Sequence, residues 1–287
     1  MPMKGTFFLI GHLFALLSSL GATELRFAKI FTDRCVLQRE MPAPVWGWAE
    51  PEVEVTVEFS SQKKKTAADK TGRWMIKLDP MKANIQGQEL KVTTVGSSVI
   101  LKDILVGEVW LASGQSNMGF SISKSTHAKE ARKLMPHPTL RRFKVGSYLA
   151  DKPVEDIGAK DAYQHPRWRM GDTQQWRTVD NERHGLDWIS AVAAWFGHEV
   201  RISQGVPVGI IESHFGGSKL YCWMPRESLE NSPEFTRDII EPYRDQKKKW
   251  DDAYAAWQHD PNRDPNRPPT EPWKLSCLYN AMIAPIA

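Results

Sequence analysis

Ser116 lies in the string SGQSNM directly after an apolar run, and Gly114, two positions earlier, permits the tight turn that presents a hydroxyl at the end of a strand. A serine so placed is a nucleophile for acyl transfer once a base takes its proton. In a second string, SHFGGS, Gly216 and Gly217 follow another apolar run. Glycines let the backbone approach a ligand and leave N–H groups open, as an oxyanion hole requires when a serine attacks an ester carbonyl. Gln115 and Asn117 flank the serine and His214 sits beside the glycine pair, so these three are candidate substrate contacts. The local pattern is G-x-S-N-M, without the second glycine of the nucleophile elbow, which points away from the α/β-hydrolase fold. Read alone, the serine can equally be a turn residue or helix cap, and the glycine pair a plain strand-to-helix turn.

The elements that must position these residues change character along the chain. From Glu24 to about Asp103, short alternating runs (Ala43 to Trp48, Glu54 to Phe59, Trp74 to Leu78, Leu90 to Thr94) predict the strands of a small all-β, sandwich-like domain. Alternation points Trp46, Trp48 and Trp74 into its core, Glu50-Pro51 and Thr71-Gly72 mark turns, and Lys63 to Lys65 reads as a solvated hairpin tip. At Ile104 the run ILVGEVWLA predicts a strand buried on both faces, as in a parallel sheet between helix layers. Apolar residues at helical spacing predict a helix from Trp188 to Ser203, ended by Gln204-Gly205, and VPVGII predicts a further strand from Val206 to Ile211. Strand, helix-bearing crossover and strand are the parts of a doubly wound α/β domain, which places its active site at the carboxyl ends of the strands. A charged helix from Glu241 to Gln258 precedes a loop at 260–272 whose five prolines exclude helix and sheet. The apolar LYNAMIAPIA that follows is expected to lack a surface to pack on if the fold ends there.

The 287 residues are enough for about two domains. A net charge of +4, with basic and acidic residues interleaved, excludes a nucleic-acid stripe. Lys4, the apolar stretch Thr6 to Leu20 and the small residues Ser19, Gly21 and Ala22 have the layout of a secretory signal peptide, so residues 1–22 are read as one and the protein as secreted or periplasmic. No segment predicts a membrane span. Three scattered cysteines, Cys35, Cys222 and Cys277, exclude a disulfide scaffold or zinc site and allow at most one bridge. Twelve tryptophans are numerous, and aromatic faces suit sugar rings as well as cores.

The block GEVWLASGQSNM from Gly107 to Met118 resembles the nucleophile block of the sialate O-acetylesterases and related carbohydrate acetylesterases, a branch of the SGNH (GDSL-like) hydrolases. CVLQREMPAPVWGWAEP from Cys35 and TGRWMIKL from Thr71 are similar to the β-domain that precedes the esterase domain in these proteins. SAVAAWFGHEV, GVPVGIIESHFGGS and LYNAMIAPIA resemble three later blocks, so the likeness runs from about Leu25 to the last residue. It implies a β-domain at 23–103 and an SGNH-type α/β/α parallel-sheet domain at 104–287, the latter incomplete. It also implies removal of O-acetyl groups from an acetylated glycan or sugar without metal or organic cofactor. Ser116 would be the nucleophile, and its own N–H, with Gly217 and less readily Gly216, would hold the oxyanion. A third donor from a G-E-S-N type block and a base from a later D-x-x-H type block are expected in the family, and neither string is present. The chain is therefore expected to stop short of them, and an inactive fragment or glycan-binding protein that keeps the fold is the rival reading. Lys219, Tyr221 and Cys222 depart from the family pattern and bear on substrate preference.

Overall fold

The computed structural model describes residues 24–164, 174–180 and 186–287, so the signal-peptide reading, His165 and His184 lie outside the described residues. The strands are β1 (Arg26–Phe27), β2 (Val36–Gln38), β3 (Ala43–Trp48), β4 (Glu54–Phe59), β5 (Gln62–Ala67), β6 (Arg73–Leu78), β7 (Asn84–Thr94), β8 (Ser97–Gly114), β9 (His137–Lys144), β10 (Tyr148–Leu149), β11 (Tyr163–Gln164), β12 (Arg177–Val179) and β13 (Val208–His214). β1, β3 and β6 form an antiparallel sheet, and a mixed sheet runs in the order β12-β9-β13-β8-β7-β4-β5. Trp46, Trp48 and Trp74 from the first sheet and Val57, Phe59 and Leu90 from the second are buried in one cluster. Each fully buried aliphatic or phenyl side chain there is worth about 1.5–3 kcal/mol.

The large sheet turns on β8. Its first part pairs antiparallel with β7, residues 105–107 pair parallel with β2, and Glu108 to Gly114 pair parallel with β13, which pairs parallel with β9. One strand thus runs without a break through position 103, and the main core continues past it to Phe143, Phe215 and Met282. The two sides are tied at Arg141 of β9, which is 3 % exposed and donates to the carbonyls of Arg34, Asp103 and Pro138. On the other face, beyond the short helix α1 (Ala128–Leu134), α2 (Ala191–Gln204) leads into β13 and packs on β9 and β13. Ser190 caps its first turn by accepting from Ala193 N at 3.2 Å, and Gly205 ends it in the left-handed region at φ 64°. Ala193, Ala194, Leu140, Val208 and Ile210 close a second core cluster beneath it.

Three expectations change. Lys63 to Lys65 lie within β5, the outer strand of the sheet, and the turn falls at Ser60-Ser61. Paired with Glu58, Asp79 and Glu54, these lysines charge an exposed edge that would otherwise invite another strand. The run from Ile104 is buried only to Gly107, whereas Trp110 and Leu111 are exposed, because beyond Val109 the described residues supply β8 with β13 alone as a strand partner. LYNAMIAPIA does find a surface: Leu278, Ala281 and Met282 are buried in the main core, Ser213 Oγ donates to Met282 O at 3.0 Å, and Asn280 Nδ2 donates to Ala150 O at 3.2 Å.

Candidate active site

Parallel pairing of β8 and β13 brings the two chemical strings together. His214 is in register with Gly114 at the carboxyl ends of the strands, and Phe215 N donates to Gly114 O at 2.9 Å, so the chain after each strand leaves the sheet at one point. Gly114 has φ 146°, which excludes side-chain-bearing residues and swings the chain into the turn closed by Gly119 N donating to Gln115 O. Ser116 is exposed on that turn. A Cβ built on Gly216 would sit 3.8 Å from the Ser116 Cβ, so the serine and the glycine pair are direct neighbours.

Gly217 is exposed at φ 73°. The amides of Ser116, Gly216 and Gly217 and the Ser116 hydroxyl make no hydrogen bond among the described residues. The glycine turn is held from behind, where Ser218 Oγ donates to Phe215 O at 2.7 Å and accepts from Trp223 Nε1 at 2.9 Å. A serine hydroxyl beside backbone N–H groups that have no partner among the described residues is an arrangement able to attack an acyl carbon and hold its oxyanion.

Ser116, Gly216 and Gly217 open into a cleft of about 810 Å³. Its other wall is the helix Glu241–His259 with the proline loop: Trp250, Tyr254, Pro268, Pro269 and Trp273 line it, with Tyr163, Leu149, Glu271, Lys274 and Cys277. Trp250 Nε1 donates to Pro269 O at 3.0 Å and pins the loop to the helix. Trp250, Tyr254 and Trp257 stack with centroids 5.0 and 5.5 Å apart, between Lys247 over Trp250 and Arg263 over Trp257. Sequence reasoning missed this wall. The signal was available in aromatics at i, i+4 and i+7 of a helix that has no buried residue.

The other candidates lie elsewhere. Gln115 and Asn117 are exposed on the turn but do not line the cleft. His214 is 7 % exposed and lies beneath the turn rather than in the cleft: a Cβ on Gly119 would come within 2.9 Å of its Nδ1, and its Nε2 is 3.6 Å from Glu212 Oε1. Glu212, fully buried on β13, also accepts from Ser190 N at 2.8 Å. Arg142 Nε is 3.2 Å from its Oε2, a pair made by charge and not by an aligned hydrogen bond. Burial raises the Glu212 carboxyl, but Arg142, His214 and Lys144 outweigh it and hold it at about 2. This anion ties the start of α2 to the serine turn, whose Phe120 O accepts from Ala191 N at 2.8 Å. Of Lys219, Tyr221 and Cys222, none lines the cleft.

Among the described residues no histidine lines the cleft. His198 is buried in α2 and pushed down by that burial and by Arg201, His137 is likewise lowered by burial, and His127 and His259 are on the surface. The described residues contain no His, Cys, Asp and Glu cluster suited to a metal ion, and no helix long and apolar enough to cross a membrane.

No protein-family model matches the chain. Mouse sialate O-acetylesterase is 29% identical over 99% of this chain and 53% of its own length. The human enzyme is 28% identical over 91% of this chain and 46% of its own length. The crystal structure of a carbohydrate acetylesterase from Xanthomonas citri superposes with a TM-score of 0.66 and 28% identity, covering 91% of this chain and 48% of that one. The chain thus spans about half the length of the relatives it matches.

Proposed function

We propose that the chain, similar over most of its length to sialate O-acetylesterases and a carbohydrate acetylesterase, is a member of their family and serves the hydrolysis of O-acetyl groups on a carbohydrate outside the cytoplasm, through an acyl-enzyme on Ser116. The observation that carries this reading is the exposed Ser116 lying directly beside Gly216, with both residues and Gly217 lining one cleft. The hydroxyl adds to the acetyl carbonyl as a base removes its proton. The N–H groups of Ser116, Gly217 and Gly216 hold the oxyanion, the sugar leaves as an alcohol, and water releases acetate from the serine.

The aromatic and proline wall offers apolar ring faces and edges to the sugar, in keeping with a carbohydrate ligand. On the same reading, the α/β part is an SGNH-type domain and the strands before position 103 are its preceding β-domain.

The test is acetate release from O-acetylated sugars and from p-nitrophenyl acetate by the purified protein. Ser116→Ala is expected to lower kcat at least a thousandfold with the fold intact. Retained activity in that variant removes Ser116 from the mechanism. Sugar binding without acetate release by the wild type favours the glycan-binding alternative, which the lack of a cleft-lining histidine among the described residues supports.

A further inference from the structure

Cys222 and Cys277 lie far apart in sequence, yet they meet in the folded chain. Cys222 is in the turn Leu220–Trp223 just beyond the glycine pair, and Cys277 is on the segment that closes the cleft. The residues preceding them are joined directly, Ser276 N donating to Tyr221 O at 3.1 Å, so the two backbones run side by side at the cysteines. Both side chains belong to the main core, Cys222 fully buried and Cys277 1 % exposed. The neighbouring Cys222 side chain, and then burial, raise the Cys277 thiol above its ordinary pKa. Cys35 is set apart: Arg141 and Asp33 are the charged groups that bear on it, and burial pushes its thiol up to about 12.

We propose that Cys222 and Cys277 are the two halves of a disulfide bridge that fastens the glycine turn to the cleft-closing segment. The backbone hydrogen bond between the residues just before them makes the two buried cysteines neighbours, and a bridge requires such closeness, with Cα atoms within about 7 Å. In the structure both are thiols, and the oxidant is a disulfide donor such as oxidised glutathione or a disulfide oxidoreductase. The Cys222 thiolate attacks a donor sulfur and expels the other donor sulfur as a thiolate. The Cys277 thiolate then attacks Cys222 in this mixed disulfide and releases the donor's remaining sulfur. Two electrons pass to the donor and two protons leave the cysteines, so one disulfide is exchanged for another. Because the pair is buried, the exchange belongs to folding and not to the finished protein. The bridge closes a long loop that contains the helix Glu241–His259 and the proline loop, which together form one wall of the cleft.

The experiment refolds the protein with a glutathione redox pair, denatures it without reductant, alkylates it with iodoacetamide and weighs it, alongside Cys35→Ser, Cys222→Ser and Cys277→Ser. One alkylated cysteine in the wild type, none in Cys35→Ser and two in each of the other variants is the expected result. A cross-linked peptide pair identifies the bridge. The oxidised wild type is expected to melt about 5–12 °C above its reduced form. Three alkylated cysteines after oxidative refolding, a bridge to Cys35, or equal melting temperatures overturn the inference. Because the readout is thiol chemistry and melting, it stands or fails independently of the esterase reading.

Discussion

Replacing Glu212 by glutamine keeps the shape of the side chain and removes its charge from the most enclosed polar cluster of the described fold. The amide oxygen can still accept from Ser190 N, so the entry to α2 is retained and the loss is electrostatic. Glu212 is fully buried, and Arg142, His214 and Lys144 hold its carboxyl at about 2 against an ordinary 4.5. At about 1.4 kcal/mol per pH unit of displacement, the wild type gains about 3 kcal/mol from this group. Because the folded-state value is the depressed one, that stability is fully present above about pH 5 and is lost as the pH falls from there towards 2.

Glu212→Gln also leaves the Arg142 guanidinium, 5 % exposed, without its carboxylate, and breaking a buried pair from one side costs about 3–5 kcal/mol. Urea unfolding at a series of pH values measures both effects. At pH 7 the variant is expected to be about 3–5 kcal/mol less stable, or about 6–20 °C lower in melting temperature, and its decline between pH 5 and 2 is expected to be shallower than that of the wild type. A variant as stable as the wild type at pH 7, with a parallel pH profile, would refute the placement of a charged Glu212 at the centre of this cluster.

Other outcomes follow from single contacts. Gly217→Val meets no atom within 4 Å but forces a β-branched residue to φ 73°, so a cost of about 1–2 kcal/mol in melting experiments and at least a tenfold loss of kcat are expected. Gly216→Ala, at an ordinary 3.8 Å from Ser116 Cβ and without a positive φ, should be far milder in the same assays. Arg141→Met leaves the carbonyls of Arg34, Asp103 and Pro138 without this donor in a buried site, and chemical denaturation should show a loss of about 2–4 kcal/mol. Trp250→Ala removes a cleft wall and the hydrogen bond to Pro269 O, and initial-rate kinetics should show KM for an acetylated oligosaccharide rising about tenfold.

Wherever neighbours in sequence carry the decision, the elements can be read from the residues alone. Alternation places β3 and β4 at the observed limits and sends Trp46, Trp48 and Trp74 inwards. Gln204-Gly205 ends α2 where the sequence places the stop, because the left-handed turn is local, whereas the helix begins at Ala191 behind the Ser190 cap and not at Trp188. The apolar runs ending in SGQSNM and SHFGGS mark two strands that stop in flexible turns. Their meeting, though, is a property of the sheet: only the register of β8 against β13 sets Gly216 beside Ser116.

The rest depends on contacts between distant segments, on which periodicity is silent. Whether β8 stops at Asp103 or runs through it depends on partners as far away as β2, β7 and β13, and whether three lysines make a tip or an edge strand depends on which strand lies beyond them. The ionised Glu212 exists because β9, β13 and α2 bring Arg142, His214 and the Ser190 amide around one carboxylate, a balance of desolvation against charge that no single segment contains. Likewise the cleft has its second wall, and Cys277 its neighbour, only because chain closure sets the residues after His259 against the glycine turn.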